Sequence, residues 1–379
     1  MESPAAQPRL LLDAFLASAR SYAARLLSTL IVSLRSQSPV LFIVLAYWAA
    51  GMMVGHIAGL PTAATITTYL PTYMVMMPFM VVCLLAARAI IIMATERPAR
   101  PLTQLLHEIR TSLATPERLG HALPMLVAML VFGGTFTVVK ASIPSLVPFS
   151  WDQSFEQMDR WLHAGVAPWE LLQPLVGHPI ITHAVNWAYN FWFYFLSLIW
   201  VWQAFRQSDN GLRLQFFLTL TLSWILLGNV AATWLSSAGP CYYGRIVGLP
   251  DPYAPLLSYL HNVNDIHTIW ALGAQEILWG NYQMRDVMVG SGISAMPSMH
   301  VAIATLFALV CWRVRRWLGI VMTIYAGIIM VGSVHLAWHY AVDGYVGAAG
   351  VLAIWWGAGW CMKRTAARRV DAVAADAAL

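Results

Sequence analysis

Ser294-Ala295-Met296-Pro297-Ser298-Met299-His300 and His335-Leu336-Ala337-Trp338-His339-Tyr340-Ala341-Val342-Asp343 stand at the two ends of one hydrophobic hairpin. Between them run Val301 to Trp312, the basic turn Arg313-Val314-Arg315-Arg316, and Leu318 to Val334. Two apolar spans joined by a short basic turn return the chain to the face it left. Pro297–His300 and His339–Asp343 are therefore expected to meet in space.

That meeting has chemical content. Pro297 suits a first helical turn, where its missing N–H is no loss. The free N–H groups and positive dipole of such an end favour a phosphate. His300 falls in the same turn. His339 and Asp343, spaced i, i+4, can share a helix face. A carboxylate beside an imidazole fixes its tautomer and stabilises the imidazolium. A histidine so held can attack phosphorus while a second protonates the leaving oxygen.

Pro297-Ser298-Met299-His300 and His339-Tyr340-Ala341-Val342-Asp343 resemble the second and third motifs of the type 2 phosphatidic acid phosphatase superfamily. The resemblance covers roughly residues 120–362. It implies His339 as nucleophile, Asp343 as its orienting carboxylate and His300 as general acid. It also implies that no metal or other cofactor takes part. The chain departs from the phosphatase branch in two places. The motif of Lys, six residues and Arg-Pro is missing before residue 294, and Ser333 stands where an arginine precedes the third motif. Gly239-Pro240-Cys241-Tyr242-Tyr243-Gly244-Arg245 is more similar to the inositol phosphorylceramide synthase and sphingomyelin synthase branch.

Composition sets the class. The chain is 59% hydrophobic and 10% charged, against about 25% charged in soluble domains. An all-α polytopic membrane bundle of about eight transmembrane helices is expected. The formal net charge of +5 does not point to nucleic acid, because the basic residues fall at span ends. Four cysteines are too few for a disulfide framework.

Residues 1–38 carry Arg9, Arg20, Arg25 and Arg35 around Leu12, Phe15, Leu16, Ala19 and Leu26, an interfacial amphipathic segment rather than a signal peptide. Residues 39–118 hold two additional spans, about 39–60 and 69–94, and a surface helix at 101–118. A catalytic core over 119–362 follows, with spans at about 121–141, 180–205 and 212–236, the opening hairpin, and 343–362. Residues 363–379 form a tail. Residues 142–179 are polar and Pro-rich, with Trp151, Trp161 and Trp169 at an interface. Their Asp159-Arg160-Trp161-Leu162-His163 resembles a segment common before the core of the superfamily.

Lys and Arg number 18 on the face with both termini and 4 on the other, which has Lys140, Arg160, Arg245 and Arg285. The positive-inside rule makes the first face cytoplasmic and the motif face extracytoplasmic. Compact loops favour a bacterial inner membrane.

Other residues keep two readings. Arg245 is a solvated charge or a phosphate ligand. Tyr242 and Tyr243 are candidate substrate contacts; Ser298 and Tyr340 are substrate contacts or packing. His261, Asp265, His267, Glu276 and Arg285 could read a headgroup or acceptor, or simply face water. His335 joins the substrate-site candidates; a metal stripe of His335, His339 and Asp343 is the less favoured reading. The expected activity is transfer of a phospho-headgroup from a phospholipid donor to a lipid acceptor through a phosphohistidine. The alternative is hydrolysis of a phosphatidate- or polyprenyl-type phosphate.

Overall fold

The computed structural model describes residues 6–62 and 69–376. The first five residues of the expected N-terminal segment and the last three of the expected tail lie outside the described residues, as do the side chains of Arg9 and Leu12. Every regular element among the described residues is a helix. In order these are α1 (Ala6–Ser36), α2 (Ser38–Ile57), α3 (Tyr69–Ile91), α4 (Pro101–Glu108), α5 (Pro116–Leu146), α6 (Asp152–Leu162) and α7 (Pro168–Val176). There follow α8 (Pro179–Asn190), α9 (Trp192–Phe205), α10 (Asn210–Ile225), α11 (Ala254–Asn264), α12 (Trp270–Met284), α13 (Met299–Val314), α14 (Arg316–His335) and α15 (Ala341–Asp376).

Among the described residues, six helices are long and apolar enough to cross a bilayer: Ser38–Ile57, Tyr69–Glu96, Pro116–Leu146, Asn210–Trp234, Arg316–His335 and Ala341–Arg368. The chain is an integral membrane protein. Two expected spans have a different form. Residues 180–205 are two helices of 12 and 14 residues, interrupted at Phe191. α13 has 16 residues. Each is shorter than the roughly 20 residues that a perpendicular crossing needs. The expected surface helix at 101–118 stops as an α-helix at Glu108, and Pro116 already opens α5. The helix that holds the last expected span does not stop at 362: α15 runs on to Asp376.

α13 is the axis of the bundle. Ala302, Ile303, Ala304, Leu306, Phe307 and Val310 are fully buried. A helix apolar all round belongs inside, and α13 packs against α9, α10, α14 and α15. α3 is the opposite case, with Met74, Val75, Phe79 and Val82 exposed towards lipid. α2 reaches α5 through Gly51 and Gly55, a small-xxx-small face. A Cβ on Gly51 would stand 2.3 Å from Thr135 Cγ2, so only glycine allows this approach.

Local signals set the helix ends that matter for the site. Asp209 caps α10 by accepting Leu212 N–H at 2.8 Å. Ser298 caps α13 by accepting Val301 N–H at 3.5 Å. The π-type turn Leu226–Ala231 that continues α10 carries Gly228, whose missing Cβ leaves room for Phe136 and Met299.

Candidate active site

The two motifs of the hairpin meet. His339 donates Nδ1–H to the Ala295 carbonyl at 2.8 Å, and the Ser298 N–H donates to the Asp343 carbonyl at 2.9 Å. Asp343 Oδ2 lies 3.3 Å from His339 Nδ1 and accepts the Tyr340 N–H at 3.0 Å. Because Ala295 offers only a carbonyl, the Nδ1 proton of a neutral ring is fixed there and Nε2 is left as the lone pair. His339 is not helical. α14 ends at His335 and α15 starts at Ala341, so the pairing with Asp343 bridges a loop and a helix start.

His300 lies in the first turn of α13, in an aromatic cage. Its ring stacks on Tyr189 at 4.5 Å, and Trp192 and Phe193 lie 4.4 and 5.8 Å away. Three aromatic rings thus fix the plane and position of the imidazole. The His300 and His339 ring centroids are 6.3 Å apart, which lets both reach one phosphoryl group. Both line a cavity of about 350 Å³, together with Lys140, Tyr189, Trp338 and Tyr242.

Two acids of α6 hold the His339 loop in place. Asp152 accepts the N–H groups of Ala238 and Gly239 at 2.9 and 2.8 Å and the Tyr340 hydroxyl at 2.8 Å. Asp159 accepts the N–H groups of Ala341 and Val342 at 2.7 and 2.9 Å, at the positive end of α15. Burial pushes both carboxyls up, and these backbone donors pull them back down. Gly239 has φ +102, and a Cβ there would lie 2.7 Å from the Trp338 carbonyl oxygen. Cys241 N–H donates to the Ala337 carbonyl at 2.9 Å. The Gly239–Arg245 segment is thereby joined to the histidine loop through its backbone.

Several expected site residues fall elsewhere. Arg245 pairs with Glu276 at 2.5 Å and covers the Trp279 ring, outside the cavity wall. Arg285 terminates α12 in a left-handed conformation and lines a separate polar pocket with Asp286. Ser298 is fully buried beneath its helix cap. Pro297 precedes that cap, so it stands ahead of the first helical turn it was expected to occupy. Tyr243 packs with Tyr253 and Phe155 away from the cavity. Tyr242 does line the cavity, but its hydroxyl donates to the Gln275 carbonyl at 2.7 Å. His335 Nε2 faces Thr182 Oγ1 at 2.9 Å, so no stripe forms with His339 and Asp343. Ser333 is buried and donates its hydroxyl to the Met330 carbonyl.

Lys140, not among the expected site residues, lines the cavity. The available signal was a cation inside the apolar run of α5, a position where ionisable residues mark function. The cage residues Tyr189 and Trp192 had no such signal, being aromatic residues in an aromatic stretch.

A family model described as the PAP2 superfamily matches residues 153–357, which contain both histidine motifs. No curated protein matches the chain, and no solved structure matches it.

Proposed function

The chain belongs to the PAP2 superfamily, and from that premise we propose that it transfers the phospho-headgroup of a glycerophospholipid to a lipid alcohol. Membership makes it a phosphatase or phosphotransferase. His339 Nε2 attacks phosphorus. An N–P bond forms, the P–O bond to diacylglycerol breaks, and His300 gives its proton to the leaving oxygen. The acceptor hydroxyl then attacks the same phosphorus and passes its proton to His300. The N–P bond breaks and His339 is restored. Asp343 keeps the ring oriented through both steps.

The carrying observation is the Nδ1–H bond from His339 to Ala295, which leaves Nε2 unprotonated in the cavity that His300 also lines. The charge balance supports a phosphodiester donor. A monoester carries close to two negative charges at neutral pH, a diester one, and no arginine lines this cavity. Each missing charge-assisted hydrogen bond forfeits about 1.5–3 kcal/mol. This favours the inositol phosphorylceramide synthase or sphingomyelin synthase branch, with ceramide or diacylglycerol as the kind of acceptor. A second groove of about 190 Å³, lined by Tyr73, Met77, Met129 and Leu196, shares Tyr69, Phe136, Phe193 and Trp224 with the first. It suits a lipid chain entering from the bilayer.

The reading extends to the whole chain. The six long spans, α13 and the bent α8–α9 pair make eight crossings. Residues 119–362 are the catalytic core and 39–118 an addition to it. The site faces the extracytoplasmic side of a bacterial inner membrane, with both ends of the chain inside. The chemistry is tested by competition between phosphatidic acid and phosphatidylinositol, with ceramide present. Transfer predicts a phosphorylated ceramide and slow release of phosphate. Fast hydrolysis of phosphatidic acid with no new lipid would make the protein a lipid phosphatase.

A further inference from the structure

We propose that Lys140 is the cation that holds the transferred phosphoryl group between His300 and His339. This rests on the phosphotransfer reading above and gives that site its anion-binding residue. Lys140 is the one Lys or Arg among the residues lining the cavity. It takes part in none of the ion pairs found among the described residues. The Phe136 ring lies 6.0 Å from its Nζ, which softens the charge without neutralising it. An ammonium in a mostly apolar cavity wall is costly without a counter-ion. A phosphate group in the cavity supplies one.

The lysine is also held in position. Gly292 of the loop leading to Pro297 has φ +103, and a Cβ there would lie 2.8 Å from Lys140 Cγ. That loop packs directly on the lysine stem, so the ammonium is carried on a fixed base rather than swinging freely. Arg245 is engaged by Glu276, and Arg285 belongs to another pocket. One cation against one phosphodiester charge is the balance the cavity offers. The bland reading is a lysine that extends past the last turns of α5 to water. Such a lysine would leave anion binding unchanged when removed.

The test uses the full chain in detergent micelles and orthovanadate as a phosphate probe. Binding is measured by calorimetry for the wild type, Lys140→Met, Lys140→Gln and Lys140→Arg. Phospholipid turnover is followed in parallel. Loss of a charge-assisted hydrogen bond should weaken orthovanadate binding at least about tenfold in both neutral variants. Lys140→Arg, which keeps the charge, should stay within about threefold. Two neutral variants guard against one that fails to fold, and each is compared at wild-type elution and melting temperature. Wild-type binding by a folded neutral variant overturns the assignment, whatever the turnover. So does a wild-type chain that binds no orthovanadate. Lysine-dependent binding without any phospholipid turnover keeps Lys140 as an anion site and overturns the transferase reading instead.

Discussion

His339 is held by a backbone carbonyl as much as by a carboxylate. Its Nδ1–H reaches Ala295 at 2.8 Å, while Asp343 Oδ2 stands at 3.3 Å. Burial holds the imidazole below its ordinary range, the Lys140 charge acts in the same direction, and the Ala295 bond opposes both. A nucleophilic histidine must be neutral. A lowered folded value keeps it neutral as the pH falls, so activity is lost only below the folded value. The acid limb of kcat/KM, measured with a diester donor that does not itself titrate, should therefore lie below the ordinary imidazole value of about 6.5. A limb at or above that value contradicts the buried geometry. At this scale the three polar residues of the motifs were legible because their types and spacing carry chemistry. The Glu276 pairing of Arg245 and the cavity position of Lys140 were not legible, for one reason. Sequence counts cations on a face but does not reveal which has a carboxylate partner, and Glu276 lies 31 residues from Arg245.

Among the elements, α6 is short and lies off the bundle axis, yet it fixes the loop that carries His339. Asp159 gives one carboxylate oxygen to each of the Ala341 and Val342 N–H groups. Asp159→Asn replaces one of those acceptors with an N–H₂ that faces a donor. A buried mismatch of this kind costs about 1–3 kcal/mol. The expected result is a fall in kcat of at least about tenfold, since the change moves the loop that carries His339. A variant with wild-type kcat would show that α6 does not position the loop. The segment Asp159–His163 was conspicuous in the sequence, but its role needed the fold, because its partners lie 182 and 183 residues away. The hairpin α13–α14 was legible from its two apolar runs. The interruption at Phe191 was not, because neither Pro nor Gly stands there to announce it. The continuation of α15 past the last apolar residues was also hidden, since a helix does not stop where hydrophobicity does.

Across the molecule, the proposed orientation rests on charge. The expected topology puts 18 Lys and Arg on the face opposite the histidine motifs and 4 on the motif face. On a background lacking the four native cysteines, Leu249→Cys should react with an impermeant thiol reagent in intact cells. Leu249 is 90% exposed on the motif side. Arg315→Cys, in the basic turn of the hairpin, should react only after permeabilisation. The reverse pattern would invert the topology. The class of the molecule was readable from composition, because a bilayer demands long apolar helices whatever their packing. The buried position of α13 was not, since a lipid-facing and a protein-facing helix of this kind read alike.

The proposed chemistry requires His339 to become covalently phosphorylated. The direct measurement is to incubate the purified chain with a phospholipid labelled at phosphorus, without acceptor, and map the protein-bound label by peptide mass spectrometry. The expected result is an acid-labile, base-stable label on His339, discharged when ceramide is added and absent from His339→Ala. Full turnover by His339→Ala, or a label on any other residue, would contradict it.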